Sequence, residues 1–221
     1  MFMEDFSIKS LKEFTGNFKG IHLDTWDNED IDVPFEITPR QFLQFAEYDL
    51  NNRYEHHLVN SLSNIKRTID CQLDSLLFGF GLFQKSKKER WNFPKKVDTL
   101  SQVGIISPRI LEKINQKRNL LEHEYRTPEK GQVEDALDVA TLFIAYTEKF
   151  LFNALTECRP FHDIKEDAFE VELDYKGSKI IFFDTELKNN KLTKVIKKEV
   201  TPDSDQYLEY LSLFIGLYKL K

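Results

Sequence analysis

Apolar residues recur at steps of three and four along two long stretches of this chain. After Thr38-Pro39, Phe42, Phe45, Ala46 and Leu50 keep that spacing. It resumes beyond Asn51-Asn52 with Leu58, Leu62, Ile65, Ile69, Leu73 and Leu76. Such steps put one stripe on one face of a helix. Threonine before proline is a helix start signal, because the hydroxyl caps free N–H groups and proline suits the first helical position. Gly79 and Gly81 close the stretch. One very long helix and two helices with a bend near Asn51 both fit, and Asn51-Asn52 favours the bend.

A second helical stretch runs from about Val133 to Leu155, with Val133, Ala136, Val139, Ala140, Phe143, Tyr146 and Phe150 on its apolar side. Between them, residues 84–96 read as a basic connector with Trp91 and Phe93 interleaved, followed by a short helix around Val97–Val103. Ser107-Pro108 then opens another helix, which Thr127-Pro128 should end by Thr127.

Beyond Arg159-Pro160 the period changes to two. Phe169, Val171 and Leu173 alternate with Glu170, Glu172 and Asp174, which is a strand pattern. Lys176-Gly177-Ser178 makes a turn, Lys179–Leu187 reads as the hairpin partner and Lys191–Val200 as a third strand. Thr201-Pro202 starts a last helix carrying Tyr207, Tyr210, Leu211, Phe214 and Leu217. Residues 1–37 suggest short strands at Gly20–Thr25 and Ile31–Ile37 around an Asp27-Asn28-Glu29-Asp30 turn. The expected fold is therefore mainly α: a helical bundle over 38–157, an acidic N-terminal segment over 1–37 and a small α+β tail over 158–221.

Composition narrows the function classes. A formal charge of −6 and a pI near 5.5 argue against nonspecific coating of nucleic acid, though not against a local basic cleft. No apolar run approaches the roughly 20 residues needed to span a bilayer. The N-terminus lacks a signal-like apolar segment. Cys71 and Cys158 are isolated and read as reduced thiols. The expectation is a soluble cytoplasmic protein without a membrane partner.

Candidate chemistry concentrates in Lys117–Tyr125, K-R-N-L-L-E-H-E-Y. On a helix at about 100° per residue, Arg118 falls in the apolar sector of Ile110, Ile114, Leu121 and Tyr125. A guanidinium there is costly unless it is paired or faces an interface. Asn119 and His123 share a face four residues apart, but Arg118 and His123 are separated by about 140°. Taken singly, each has an ordinary reading: Arg118 with Glu122 as a surface ion pair, His123 complementing a helix dipole, Tyr125 as a partly buried aromatic. Together they put an imidazole, a guanidinium, an amide and a phenol close along one helix end. Other clusters are poorer. His56-His57 adjoin and point to different faces, and Glu122-His123-Glu124 lacks the spacing of a zinc hydrolase, so no metal or cofactor is expected.

Arg118-Asn119-x-x-x-His123 resembles the R-x-x-x-x-H signature of the HEPN superfamily, and the added Tyr125 is similar to the form found in toxins of HEPN–MNT toxin–antitoxin pairs. The resemblance covers about residues 38–156. It implies a helical homodimer whose metal-independent endoribonuclease site forms across the dimer axis, which would bring two copies of Arg118 and His123 together. In that reading His123 moves protons, Arg118 holds the scissile phosphate, Asn119 orients the histidine or a phosphate oxygen, and Tyr125 contacts phosphate or positions the pair. The resemblance also implies a partner antitoxin or nucleotidyltransferase that can adenylylate the tyrosine, and a place in toxin–antitoxin or antiviral defence. Lys87, Lys88, Arg90 and Trp91 of the basic connector are the candidates for steering and stacking an RNA substrate. The competing class is a noncatalytic HEPN module that binds a nucleotide, RNA or a protein.

Overall fold

The computed structural model describes residues 5–16, 18–52, 54–105, 127–163, 169–188 and 191–220. In chain order these form α1 (Ile8–Thr15), β1 (Ile21–Glu29), α2 (Pro39–Asn51), α3 (His57–Gly79), α4 (Phe83–Lys88), α5 (Phe93–Gln102) and α6 (Lys130–Thr147). A 3₁₀ turn follows at Glu148–Phe150, then β2 (Ala154–His162), β3 (Glu170–Asp174), β4 (Lys179–Lys188), β5 (Lys191–Val200) and α7 (Tyr207–Tyr218).

The expected helical bundle with a small β tail is not what forms. The strands make one five-stranded antiparallel sheet in the order β1-β2-β3-β4-β5. Its first strand comes from the N-terminal segment. The strand expected at Gly20–Thr25 is the first part of β1, which continues through Asp27-Asn28-Glu29, expected within a turn, with a register shift between Asp27 and Asn28, while 31–37 forms no strand. Most of β1 is exposed, so its sequence carries no alternation, and its state is set by pairing with β2. β2 likewise begins at Ala154-Leu155, expected as the end of a helix, and continues through Arg159-Pro160. Pro160 has no N–H to donate, and the β1–β2 register slips at Asp24, between Leu23 opposite Pro160 and Thr25 opposite Arg159. A bulge there accommodates the proline at its ladder position.

The helical signals mostly hold. Thr38 caps α2: its hydroxyl accepts from the Gln41 N–H at 3.3 Å, and the Gln41 side chain accepts from the Thr38 N–H at 2.8 Å. α2 ends at Asn51 and α3 begins at His57, so the long apolar stripe is two helices. Leu62, Ile65, Ile69, Leu73 and Leu76 are all buried. The short helix expected around 97 starts earlier, capped by Asn92 with Pro94 in its first turn. The expected motif helix falls outside the described residues.

α7 begins at Tyr207 rather than at Thr201-Pro202 and is buried nearly all round. A helix apolar on every side belongs inside a core. Tyr210 packs on Phe182 of the sheet, with Phe6 and Phe169 completing the aromatic group. Tyr218 packs on Phe150 of the 3₁₀ turn. Three α7 hydroxyls donate to main-chain carbonyls of three separate segments: Tyr207 to Phe80 at 2.8 Å, Tyr210 to Phe6 at 3.1 Å and Tyr218 to Lys149. Each satisfies a polar group that burial would otherwise leave costly. One hydrophobic cluster thus joins Leu11, Leu73, Val171 and Phe214. Among the described residues no helix is long and apolar enough to cross a membrane.

Candidate nucleic-acid-binding surfaces

Arg118, Asn119, His123 and Tyr125 lie outside the described residues. The motif is therefore bounded by Ile105, just after α5, and Thr127, just before α6.

The basic connector is more structured and more engaged than a solvated loop. It contains α4, a left-handed Arg90 (φ 52°) and the start of α5. Lys96 pairs with Asp74 where each side chain is only 16% exposed, and Lys87 reaches the same carboxylate at 3.9 Å while sitting 5.0 Å over the Phe83 ring. Lys85 donates to the Pro202 carbonyl and lies 3.9 Å from Glu89. Trp91, expected as an open stacking platform, is half-buried against the core. Its indole N–H donates to Glu89 at 2.7 Å, and the Lys95 ammonium stands 5.6 Å from its ring. Lys88 and Arg90 are exposed, with no carboxylate partner among the described residues. Of the four expected RNA contacts, these two are the ones that no described carboxylate engages.

A second surface assembles where α2 turns into α3. Leu50, Asn51, Tyr54, Glu55, His57 and Lys130 line an open groove of about 770 Å³. Asp49 organises it. The Tyr54 hydroxyl donates to one Asp49 oxygen, Asn64 donates to the other at 2.8 Å, and Asn60 donates to the Tyr54 oxygen at 3.2 Å. The bond to Asp49 raises the Tyr54 pKa above the ordinary phenol value, so the ring stays neutral. His57 Nδ1 lies 2.7 Å from the Tyr54 carbonyl. A carbonyl only accepts, so Nδ1 carries a proton and Nε2 is the ring nitrogen left to meet a ligand. In the sequence His57 stands out only as the neighbour of His56, on a different face and so unsuited to a metal pair. Among the described residues no group of three or more metal-ligating side chains gathers.

The outer face of the sheet carries a carboxylate cluster. Glu157 on β2 stands directly opposite Glu172 on β3, and Lys194 bonds to Glu157 and lies 3.0 Å from Glu170. Burial first, then Glu157 and Asp174, pushes the Glu172 pKa up. Ionising this group is costlier in the folded protein than in the unfolded chain. Glu172→Gln is therefore expected to raise the melting temperature at pH 7. The gain should shrink as the pH falls and vanish below the ordinary glutamate range of about pH 4, where the carboxyl is protonated in the folded and unfolded chain alike. An equal gain at both pH values would mean that packing, not charge, is responsible. Burial also pushes the half-buried Cys71 thiol up to about 11 and the buried Cys158 thiol higher still, so neither is an activated nucleophile.

No family model matches the chain, and no curated protein or solved structure matches it either.

Proposed function

We propose that this protein is a metal-independent endoribonuclease of HEPN type. The observation that carries the reading is the residue set Arg118-Asn119-x-x-x-His123-x-Tyr125. Its surroundings support it, since every described element from Pro39 to Phe150 is helical and α3 packs against both α2 and α6, the helix that follows the motif in the chain. In the reaction His123 takes the proton of a ribose 2′-hydroxyl as that oxygen bonds to phosphorus. The bond from phosphorus to the 5′-oxygen breaks, and the leaving oxygen receives a proton. Arg118 neutralises charge on the phosphoryl oxygens, where a planar guanidinium donates in pairs. Asn119 orients the imidazole or a phosphate oxygen, and Tyr125 contacts phosphate.

On a regular helix Arg118 and His123 diverge by about 140°. A homodimer with two motif segments facing each other would supply one residue from each copy, and two-fold pairing is the commonest oligomeric arrangement. We place the activity in the cytoplasm, in toxin–antitoxin or antiviral defence, with an antitoxin or nucleotidyltransferase as the cognate partner and Tyr125 as its point of modification.

The test is incubation of the purified protein with RNA in EDTA. Expected products are fragments ending in a 2′,3′-cyclic phosphate opposite a 5′-hydroxyl. RNA left intact across several substrates would overturn the reading in favour of a noncatalytic module that binds a nucleotide, RNA or a protein.

A further inference from the structure

The groove at the α2–α3 turn combines three groups that suit one kind of ligand. Tyr54 offers a neutral ring, 40% exposed and held by Asp49 and Asn60. Lys130, the first residue of α6, offers an ammonium that among the described residues pairs with Glu134, four residues on at 3.3 Å. Exposed pairs of that kind are worth tenths of a kcal/mol, so a phosphate displaces it readily. His57 lines the same groove with its Nδ1 engaged by the Tyr54 carbonyl, so Nε2 is the ring nitrogen left to meet a ribose hydroxyl. An aromatic platform beside a cation and an imidazole nitrogen recognises a base, its phosphate and its ribose. The volume, about 770 Å³, lies within the range of nucleotide-sized sites.

Position ties the groove to the motif. Tyr125 precedes Lys130 by five residues, and five residues span at most about 18 Å however they are arranged. We infer that the groove formed by Tyr54, His57 and Lys130 is a subsite for single-stranded RNA, seating the strand that enters the site of Arg118 and His123. This rests on the ribonuclease reading for its purpose, though not for its binding chemistry. Tyr54 stacks on a base, Lys130 neutralises one phosphate, and His57 Nε2 meets a ribose hydroxyl. Glu55 lines the same groove and opposes an anionic strand.

The experiment is binding of a labelled oligouridylate, followed by fluorescence anisotropy across a salt series. Its riboses are 2′-O-methylated throughout except for one terminal 2′-hydroxyl, which lies beyond any internal linkage, so the strand cannot be cut by 2′-hydroxyl attack. Tyr54→Ala should weaken binding at least about fivefold, while Tyr54→Phe, which keeps the ring, binds like wild type. Lys130→Gln should lower the slope of log affinity against log salt by about 0.7, the loss of one phosphate contact on a single strand. Glu55→Lys should tighten binding, an effect of opposite sign that general damage to the fold cannot produce. Absence of wild-type binding, or affinities and slopes unchanged in all the variants, overturns the subsite. If the variants behave as expected while wild type fails to cut unmodified RNA, the subsite stands and the ribonuclease reading falls.

Discussion

His123→Ala is expected to slow RNA cleavage by about 10²–10⁴-fold, the usual contribution of a positioned general acid or base. A 2′-hydroxyl is a weak nucleophile until its proton is removed, and the 5′-oxygen is a poor leaving group until one is supplied. An imidazole near neutral pH serves either step, and alanine serves neither. Arg118→Ala removes charge stabilisation at the phosphoryl oxygens and should cost about 10²–10³-fold. Arg118→Lys should recover little, because an ammonium lacks the planar paired donors of guanidinium. The measurement is the single-turnover rate at saturating RNA in EDTA, with the oligomeric state of each variant checked by gel filtration. His123→Ala should still bind the methylated oligouridylate, which separates lost chemistry from lost affinity. Wild-type rates in both alanine variants would remove the motif from the mechanism.

Gly81→Ala is expected to destabilise the fold by about 2–5 kcal/mol, combining left-handed strain with overpacking. Gly81 ends the α3 region at φ 69°, in the left-handed region that favours glycine. A Cβ there would stand 2.9 Å from the Ser178 Cα and 3.0 Å from the Tyr207 hydroxyl. The first neighbour is backbone, fixed in the turn between β3 and β4. The second is already committed to the Phe80 carbonyl. Neither gives way without moving the sheet or α7. Against a typical stability of about 5–15 kcal/mol, the loss is large. Urea denaturation measures it. Gly131→Ala is the control: it lies in the first turn of α6 at an ordinary helical angle, and its added methyl meets nothing within 4 Å. There alanine should stabilise by up to about 1 kcal/mol. Equal stability of Gly81→Ala and wild type would show that the turn at Ser178 adapts freely.

What the sequence made legible was what single segments decide. Thr38-Pro39 marked a helix start because capping is a local bond, and the stripe from Leu62 to Leu76 marked a buried face because its period is local too. The β3–β4 hairpin and β5 followed from alternation and a glycine turn. β1 was legible only over Gly20–Thr25 and β2 not at all, since a mostly exposed edge strand and a proline-containing strand acquire their state from a partner more than a hundred residues away. The same divide runs through the sites. The spacing of Arg118, Asn119, His123 and Tyr125 is readable in one line of sequence. The engagement of Trp91 with Glu89 and Lys95 is not, and the groove joins Tyr54 to Lys130 across most of the helical region.

The three carbonyls held by α7 all belong to segments made earlier by the ribosome: Phe6, Phe80 and Lys149. A nascent chain that has already exposed β1 through β5 and α1 through α6 still lacks the helix at the middle of its core. Until residues 207–218 emerge, Phe182 of the sheet has no Tyr210 to pack on it, and the cluster that holds Val171 and Ile180 lacks its α7 members. Open apolar surface of that kind is what chaperones hold and what aggregates grow from. Cooperative folding of this protein is thus deferred until α7 has left the ribosome, and a chain stalled before Tyr207 is a ready substrate for quality-control proteases.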